Sequence, residues 1–147
     1  MEQTIGSNSI YLDLVLRIDQ PNRKEQYYHI HKQDTKEYVG NCGIRFDDNE
    51  SNTYLGNIEY EIFEPYRSNH YSKQACLLLA SIAYENGLKS LTITSNIKNK
   101  ASLSIIESLG AKFTSTVRVP KTSRLYQQGD RYLNTYEWNI EEERKIL

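Results

Sequence analysis

The chain has 147 residues, 38% of them hydrophobic and 25% charged, enough for one domain burying roughly 70% of its unfolded surface and unlike a disordered tail, a collagen or a coiled coil. Lys+Arg 18 against Asp+Glu 19 leaves a net charge of −1, which removes the general attraction to phosphate backbones that nucleic-acid binders use. No apolar run reaches the roughly 18 residues of a membrane span, the start MEQTIGSNSIYLD lacks a secretory pattern, and two cysteines with three scattered histidines give neither a disulfide framework nor zinc spacing. The expectation is a reduced cytoplasmic domain with no metal and no nucleic-acid or membrane partner.

The first half reads as strands. Ile10, Leu12, Leu14, Leu16 and Ile18 alternate with Tyr11, Asp13, Val15 and Arg17, the period of a half-buried strand. Pro21-Asn22 breaks it. A second strand is expected near Gln26–Lys32, a hairpin turn at residues 33–36, and a third strand near Glu37–Phe46. Gly40 and Gly43 within it suggest a bulge or a close backbone approach. Asp47–Thr53 is a polar loop, and a fourth strand runs from about Leu55 to Phe63 before Pro65. With 12 Tyr against 3 Phe and 1 Trp, the aromatics suit sheets with one wet face.

The second half changes character. Ser72–Asn86 is helical, with Gly87 placed to end it, and Leu91 and Ile93 alternate with Thr92 and Thr94 in a short strand. Asn99–Leu109 sets Ser102, Ile105, Ile106 and Leu109 on one helical face before Gly110. Lys112–Val119 and Tyr132–Ile140 are two further strands, with Tyr136 and Trp138 in the core. The segment PKTSRLYQQGD between them is a long loop, and residues 141–147 are a frayed tail. This order is α+β: a mixed, mostly antiparallel sheet of about seven strands, with a parallel crossover between strands four and five and helices packed on it. A crevice at the carboxyl ends of neighbouring parallel strands binds ligands.

The junction from Ile58 through Cys76 carries the chemistry. Strand, tight loop and helix start aim free backbone N–H groups and the positive end of a helix dipole at one point, which suits a phosphate or pyrophosphate. Arg67 adds a charge at the rim. Cys42 and Cys76 read as small buried hydrophobes, not nucleophiles. His29 and His31 share the wet side of one strand.

In this junction the chain resembles the GNAT superfamily of acetyl-CoA-dependent N-acetyltransferases, in its ribosomal-protein-acetyltransferase-like branch. The family loop reads Arg or Gln, two residues, Gly, one residue, then Gly or Ala, and it holds the coenzyme pyrophosphate. Arg67, Tyr71 and the EPYR lead-in match it. Downstream, Asn99-Lys100-Ala101-Ser102, followed by Glu107 through Phe113, looks like the second signature, where an Asn opens a helix beside the pantetheine arm. The resemblance implies one GNAT-like domain over residues 1–147, acetyl-CoA as co-substrate without a metal, an amine acceptor, and a homodimer as one allowed assembly. It implies coenzyme contacts from Ile62, Phe63, Arg67, Ser68, Asn69, His70, Tyr71, Ser72, Asn99 and Ser102.

The departures carry information of their own. The family glycine is His70, its Gly/Ala is Ser72, and Ser68 stands where the branch has another Gly. Glycine there permits φ > 0 and close approach of a ligand. The tyrosine that reprotonates the leaving thiolate falls at Ile106, and the two N-terminal helices are missing because strand one runs into strand two. Glu61, on one strand face with Glu59, is the expected general base for the amine. A backbone N–H of the fourth strand would polarise the thioester carbonyl. The substituted loop and the missing tyrosine also support a second reading, a catalytically weak module that binds coenzyme A or another anion.

Overall fold

The computed structural model describes residues 4–47 and 55–141. The polar loop therefore falls largely outside the described residues at 48–54, and the expected tail does so at 142–147.

Strand alternation builds the first sheet. β1 (Thr4–Gly6), β2 (Ile10–Gln20), β3 (Arg23–Lys32), β4 (Tyr38–Arg45) and β5 (Ile58–Ile62) pair antiparallel in chain order. Ile10, Leu12, Tyr28, Ile30, Cys42, Ile44, Ile58 and Ile62 point to the buried side. Tyr11, Asp13, His29, His31, Asn41, Glu59 and Glu61 alternate with them on the opposite face. β2 and β3 pair from Ile10↔Lys32 to Gln20↔Arg23 across Pro21-Asn22 alone, so no helix intervenes, as the sequence implied.

α1 (Tyr71–Glu85) covers the buried side. Ala75, Cys76, Leu79, Ala80, Ile82 and Ala83 are its buried positions, and it packs across β2, β4 and β5. Small residues at 75, 80 and 83 let the helix lie close to the sheet. Both cysteines are buried in this layer, Cys42 from the sheet and Cys76 from the helix. Burial pushes both thiols above the ordinary cysteine range, which fits the filler role and not a nucleophile.

The remaining elements are β6 (Ser90–Asn96), α2 (Lys100–Ser108), β7 (Lys112–Arg118), α3 (Arg124–Gln127) and β8 (Tyr132–Asn139). They form a second antiparallel sheet, ordered β6-β8-β7, with Trp138, Tyr136 and Ile140 in the common core.

Three expectations need correction. The described residues hold eight strands, because a short β1 pairs along β2 through Thr4↔Asp13. Three residues are too few to carry a period. The strands lie in two sheets, and among the described residues no ladder joins β5 to β6. The sheets meet instead at Asn57, whose N–H donates to Thr92 O (2.7 Å) and whose Oδ1 accepts from the Thr92 N–H (2.7 Å). Gly56 makes that approach feasible: its φ is +76°, and a Cβ would sit 2.8 Å from Thr92 O. Finally, the long loop before β8 contains α3, capped by Ser123 Oγ accepting from the Tyr126 N–H (3.2 Å). The close approach expected at Gly40 is present, since a Cβ there would run into the Glu61 carbonyl.

Candidate functional site

Beyond Asn57, β5 has a ladder partner on one side only among the described residues. The backbone of a strand presents successive N–H groups to alternate sides. Phe63 N–H donates to Val39 O (2.9 Å), and Glu61 pairs Asn41. These residues turn toward β4, so the Ile62 and Tyr60 N–H groups turn to the free edge. There a crevice of about 850 Å³ opens between β5, the start of α1 and α2.

The loop into α1 forms one wall. Pro65 sits in a 3-10 turn (Glu64–Tyr66), and Arg67 Nε donates back to Ile62 O (2.9 Å). Asn69 Nδ2 donates to Tyr66 O (3.0 Å) and Arg67 O (3.2 Å), pinning the turn. Ser68 and His70 both take left-handed backbone, with φ of 70° and 63°. The first helical bond is Gln74 N–H to His70 O (3.2 Å), and the His70 side chain caps nothing. The N–H groups of Tyr71, Ser72 and Lys73 therefore have no partner within the helix, as at any helix start. They sit at the positive end of its dipole.

The facing wall is α2. Asn99 Oδ1 accepts the Ser102 N–H (3.1 Å) as an N-cap. Ala101, Ser104, Ile105 and Ser108 repeat at helical spacing and present one face to the crevice. Tyr60 OH and Ser102 Oγ lie 3.2 Å apart, linking β5 to α2. Burial, the largest cause, pushes the Tyr60 hydroxyl up in pKa, so it keeps its proton.

Of the residues expected at the site, Glu61, Ile62, Arg67, Ser68, His70, Tyr71, Ser72, Asn99 and Ser102 line this crevice. Phe63 and Asn69 do not. The Phe63 N–H is used by β4, and its ring meets Tyr38 edge-on at 5.0 Å on the other sheet face. Asn69 spends its side chain on the turn. Tyr60, Tyr66, Lys73, Ala101, Ser104, Ile105 and Ser108 also line the crevice and were not expected there. The helical period of residues 101–108 was the available signal for four of them. Tyr66 is held by donating to Glu37 Oε2 (2.8 Å), which draws the Glu37 carboxyl below its ordinary range.

The two strand carboxylates differ. Glu59 is ion-paired to Arg45, whose Nη1 also donates to Gly56 O (3.2 Å). Glu61 has no ion-pair or hydrogen-bond partner among the described residues. Ile106, where a helix hydroxyl was expected to be lost, is fully buried and faces the core.

No curated protein matches the chain. Solved structures do. A Chromobacterium violaceum protein assigned to the GNAT acetyltransferases is 15% identical with a TM-score of 0.69, covering 97% of this chain and 88% of that one. A Vibrio cholerae protein assigned as a ribosomal-protein-serine acetyltransferase is 16% identical with a TM-score of 0.68, covering 92% and 97%. The microcin C7 self-immunity acetyltransferase MccE, solved with acetyl-CoA and AMP, is 15% identical with a TM-score of 0.61. This match covers 78% of this chain and 61% of MccE. At these identities the likeness is one of fold. The family itself is established by the acetyltransferase (GNAT) domain model, which matches residues 6–112, most of the chain. The chain belongs to the GNAT acetyltransferase domain family.

Proposed function

We propose that the protein is a single-domain N-acetyltransferase that moves an acetyl group from acetyl-CoA to a primary amine by direct transfer, without a metal. The observation that carries this reading is the left-handed backbone at Ser68 and His70 ahead of N–H groups that have no partner within the helix at the start of α1. Backbone of this shape is what glycine would give, and it turns amides toward an anion. Arg67 through Ser72 would hold a pyrophosphate. Asn99, Ser102 and the Ala101/Ser104/Ser108 face would flank the arm that follows. Bound there, acetyl-CoA supplies an acetyl group activated as a thioester.

The chain's own groups supply the rest. The Ile62 N–H at the free edge donates toward the acetyl carbonyl oxygen. Glu61 accepts the proton that the amine must lose as its nitrogen bonds to carbon. Tyr60, whose hydroxyl stays protonated beside Ser102, gives that proton to the departing thiolate and regains one from water. No bond to the protein forms. A second reading, a module that binds coenzyme A with little turnover, is favoured by one observation: buried Ile106 offers no hydroxyl from α2.

A thermal-shift titration followed by a thiol-release assay over a panel of amines tests both. At 100 times its dissociation constant, acetyl-CoA should stabilise the fold by about 2.7 kcal/mol. Binding without thiol release would select the second reading, and no shift at millimolar acetyl-CoA would overturn both.

A further inference from the structure

The face of the first sheet away from α1 carries an ordered track. Phe63 meets Tyr38 edge-on at 5.0 Å, and Tyr38 stacks on His29 with centroids 4.2 Å apart. His31 stacks flat on Tyr11 at 5.1 Å and 9°. The rings therefore run from the end of β5, beside the crevice, across β4 and β3 to β2. Parallel to them runs one cross-strand row, set by register: Glu61↔Asn41, Asn41↔His29 and His29↔Asp13. Each end of this row is a carboxylate. Among the described residues neither Asp13 nor Glu61 has an ion-pair partner. Three strand spacings separate them, about 14 Å. The lysines of this region pair with neither carboxylate: Lys32 pairs with Asp34 (3.8 Å) and Glu37 (4.0 Å), and the Lys36 ammonium lies over the Tyr11 ring at 5.2 Å. That last contact places an aliphatic ammonium on this track already.

We propose that this face is the acceptor site and that its acceptor is a linear aliphatic polyamine. One terminal amine, having given one proton to water, docks at Glu61, which takes a second proton as the nitrogen bonds to the acetyl carbon and the carbon–sulfur bond breaks. The methylene chain lies along the half-exposed rings of Tyr38, His29 and His31. A distal ammonium reaches Asp13. Carboxylates at both ends with apolar rings between them match that chemistry in charge, length and polarity. Among the described residues no helix stands between β2 and β3, which are joined through two residues.

The inference rests on the acetyl-transfer reading for turnover but not for binding, so two measurements separate them. In the first, kcat/KM at pH 8 is compared for spermine, spermidine, putrescine, n-butylamine and a lysine-containing peptide. Spermine should exceed n-butylamine by about tenfold or more, the worth of one extra ion pair and one cation–π contact together. Asp13→Asn should lower that ratio severalfold by removing the ion pair, and Tyr38→Leu should lower it through the aromatic contact. Equal values for spermine and n-butylamine, a ratio unchanged in Asp13→Asn, or preference for the peptide would overturn the proposal while leaving acetyl transfer standing. In the second, calorimetry measures spermine binding to wild type and to Asp13→Asn. If no amine is turned over, binding that weakens in Asp13→Asn supports the site and the transfer reading alone fails. Absent or unaltered binding overturns the site.

Discussion

Ser68 and His70 hold backbone that L side chains adopt at a cost of about 1–2 kcal/mol each. The loop takes this geometry without the glycines that would make it easy. Asn69, with its two bonds to the turn, and the Arg67–Ile62 bond over-determine the conformation from either side. His70→Gly should therefore relieve strain without removing a contact, because the imidazole caps nothing. Against this gain stands the added entropy of the unfolded chain, about 0.4–1 kcal/mol. A net rise in melting temperature of about 2 °C is expected, with slightly tighter acetyl-CoA binding by calorimetry. His70→Ala keeps the Cβ and should give neither effect, and equal behaviour of the two variants would refute the strain argument. The carboxylates of β5 separate as clearly. Glu61→Gln should lower turnover by roughly 10²- to 10⁴-fold, leave coenzyme affinity nearly unchanged and remove the ascending limb of the pH–rate profile. Glu59→Gln should do much less, since that side chain is committed to Arg45. Two variants that behave alike would withdraw Glu61 as the base.

At the scale of elements, α2 decides where hydroxyls can stand. Ile106 is fully buried while Ile105 lines the crevice, so position 106 points into the core. Ile106→Tyr would restore the residue type of the family and still place no hydroxyl at the thiol. It should instead overpack the core and cost about 1–3 kcal/mol, read as a lowered denaturation midpoint with no gain in rate. Tyr60→Phe, by contrast, should slow turnover by roughly 10²-fold with the fold kept, because it removes the β5 hydroxyl that meets Ser102 on α2. A faster Ile106→Tyr enzyme would reverse this assignment. Most element boundaries were legible from period alone: the alternation of β2, the helical stretch of α1 and the Asn99 cap all lie where local pattern puts them. What was not legible depends on partners distant in sequence. Phe63 was expected at the crevice from the family resemblance, yet its amide donates to Val39 O on β4. Tyr60 carried no local signal, since its partner Ser102 is 42 residues away. β5 and β6 are joined at Asn57 with Thr92, 35 residues apart, and no periodicity in either segment encodes that contact.

Across the whole molecule, tyrosine takes the place of phenylalanine, 12 against 3, and several of these hydroxyls are tied into the fold. Tyr28 is buried in the core and donates to Gln26 Oε1 (2.6 Å). Tyr27 donates to Glu25, itself buried and held below the ordinary carboxylate range by Arg23 and Tyr27 against the opposing effect of burial. Burial, the largest cause for both tyrosines, pushes Tyr27 and Tyr28 up to about 12. In the unfolded chain a tyrosine titrates near 10. A group whose folded pKa is raised favours folding fully below the unfolded pKa, and that contribution is lost as pH climbs through the folded value. Stability should therefore hold to about pH 10 and fall steeply between pH 10 and 12. The buried Tyr28 alone is worth on the order of 2 kcal/mol across that window. Denaturant melts at intervals from pH 8 to 12, with phenolate formation followed by ultraviolet absorbance, would measure it. Tyr28→Phe should begin about 1 kcal/mol less stable through its lost hydrogen bond. Its stability should then decline less over the alkaline window than that of wild type, so the two curves converge. Parallel curves would mean that Tyr28 ionises without opening the fold, and the link between its burial and alkaline stability would be lost.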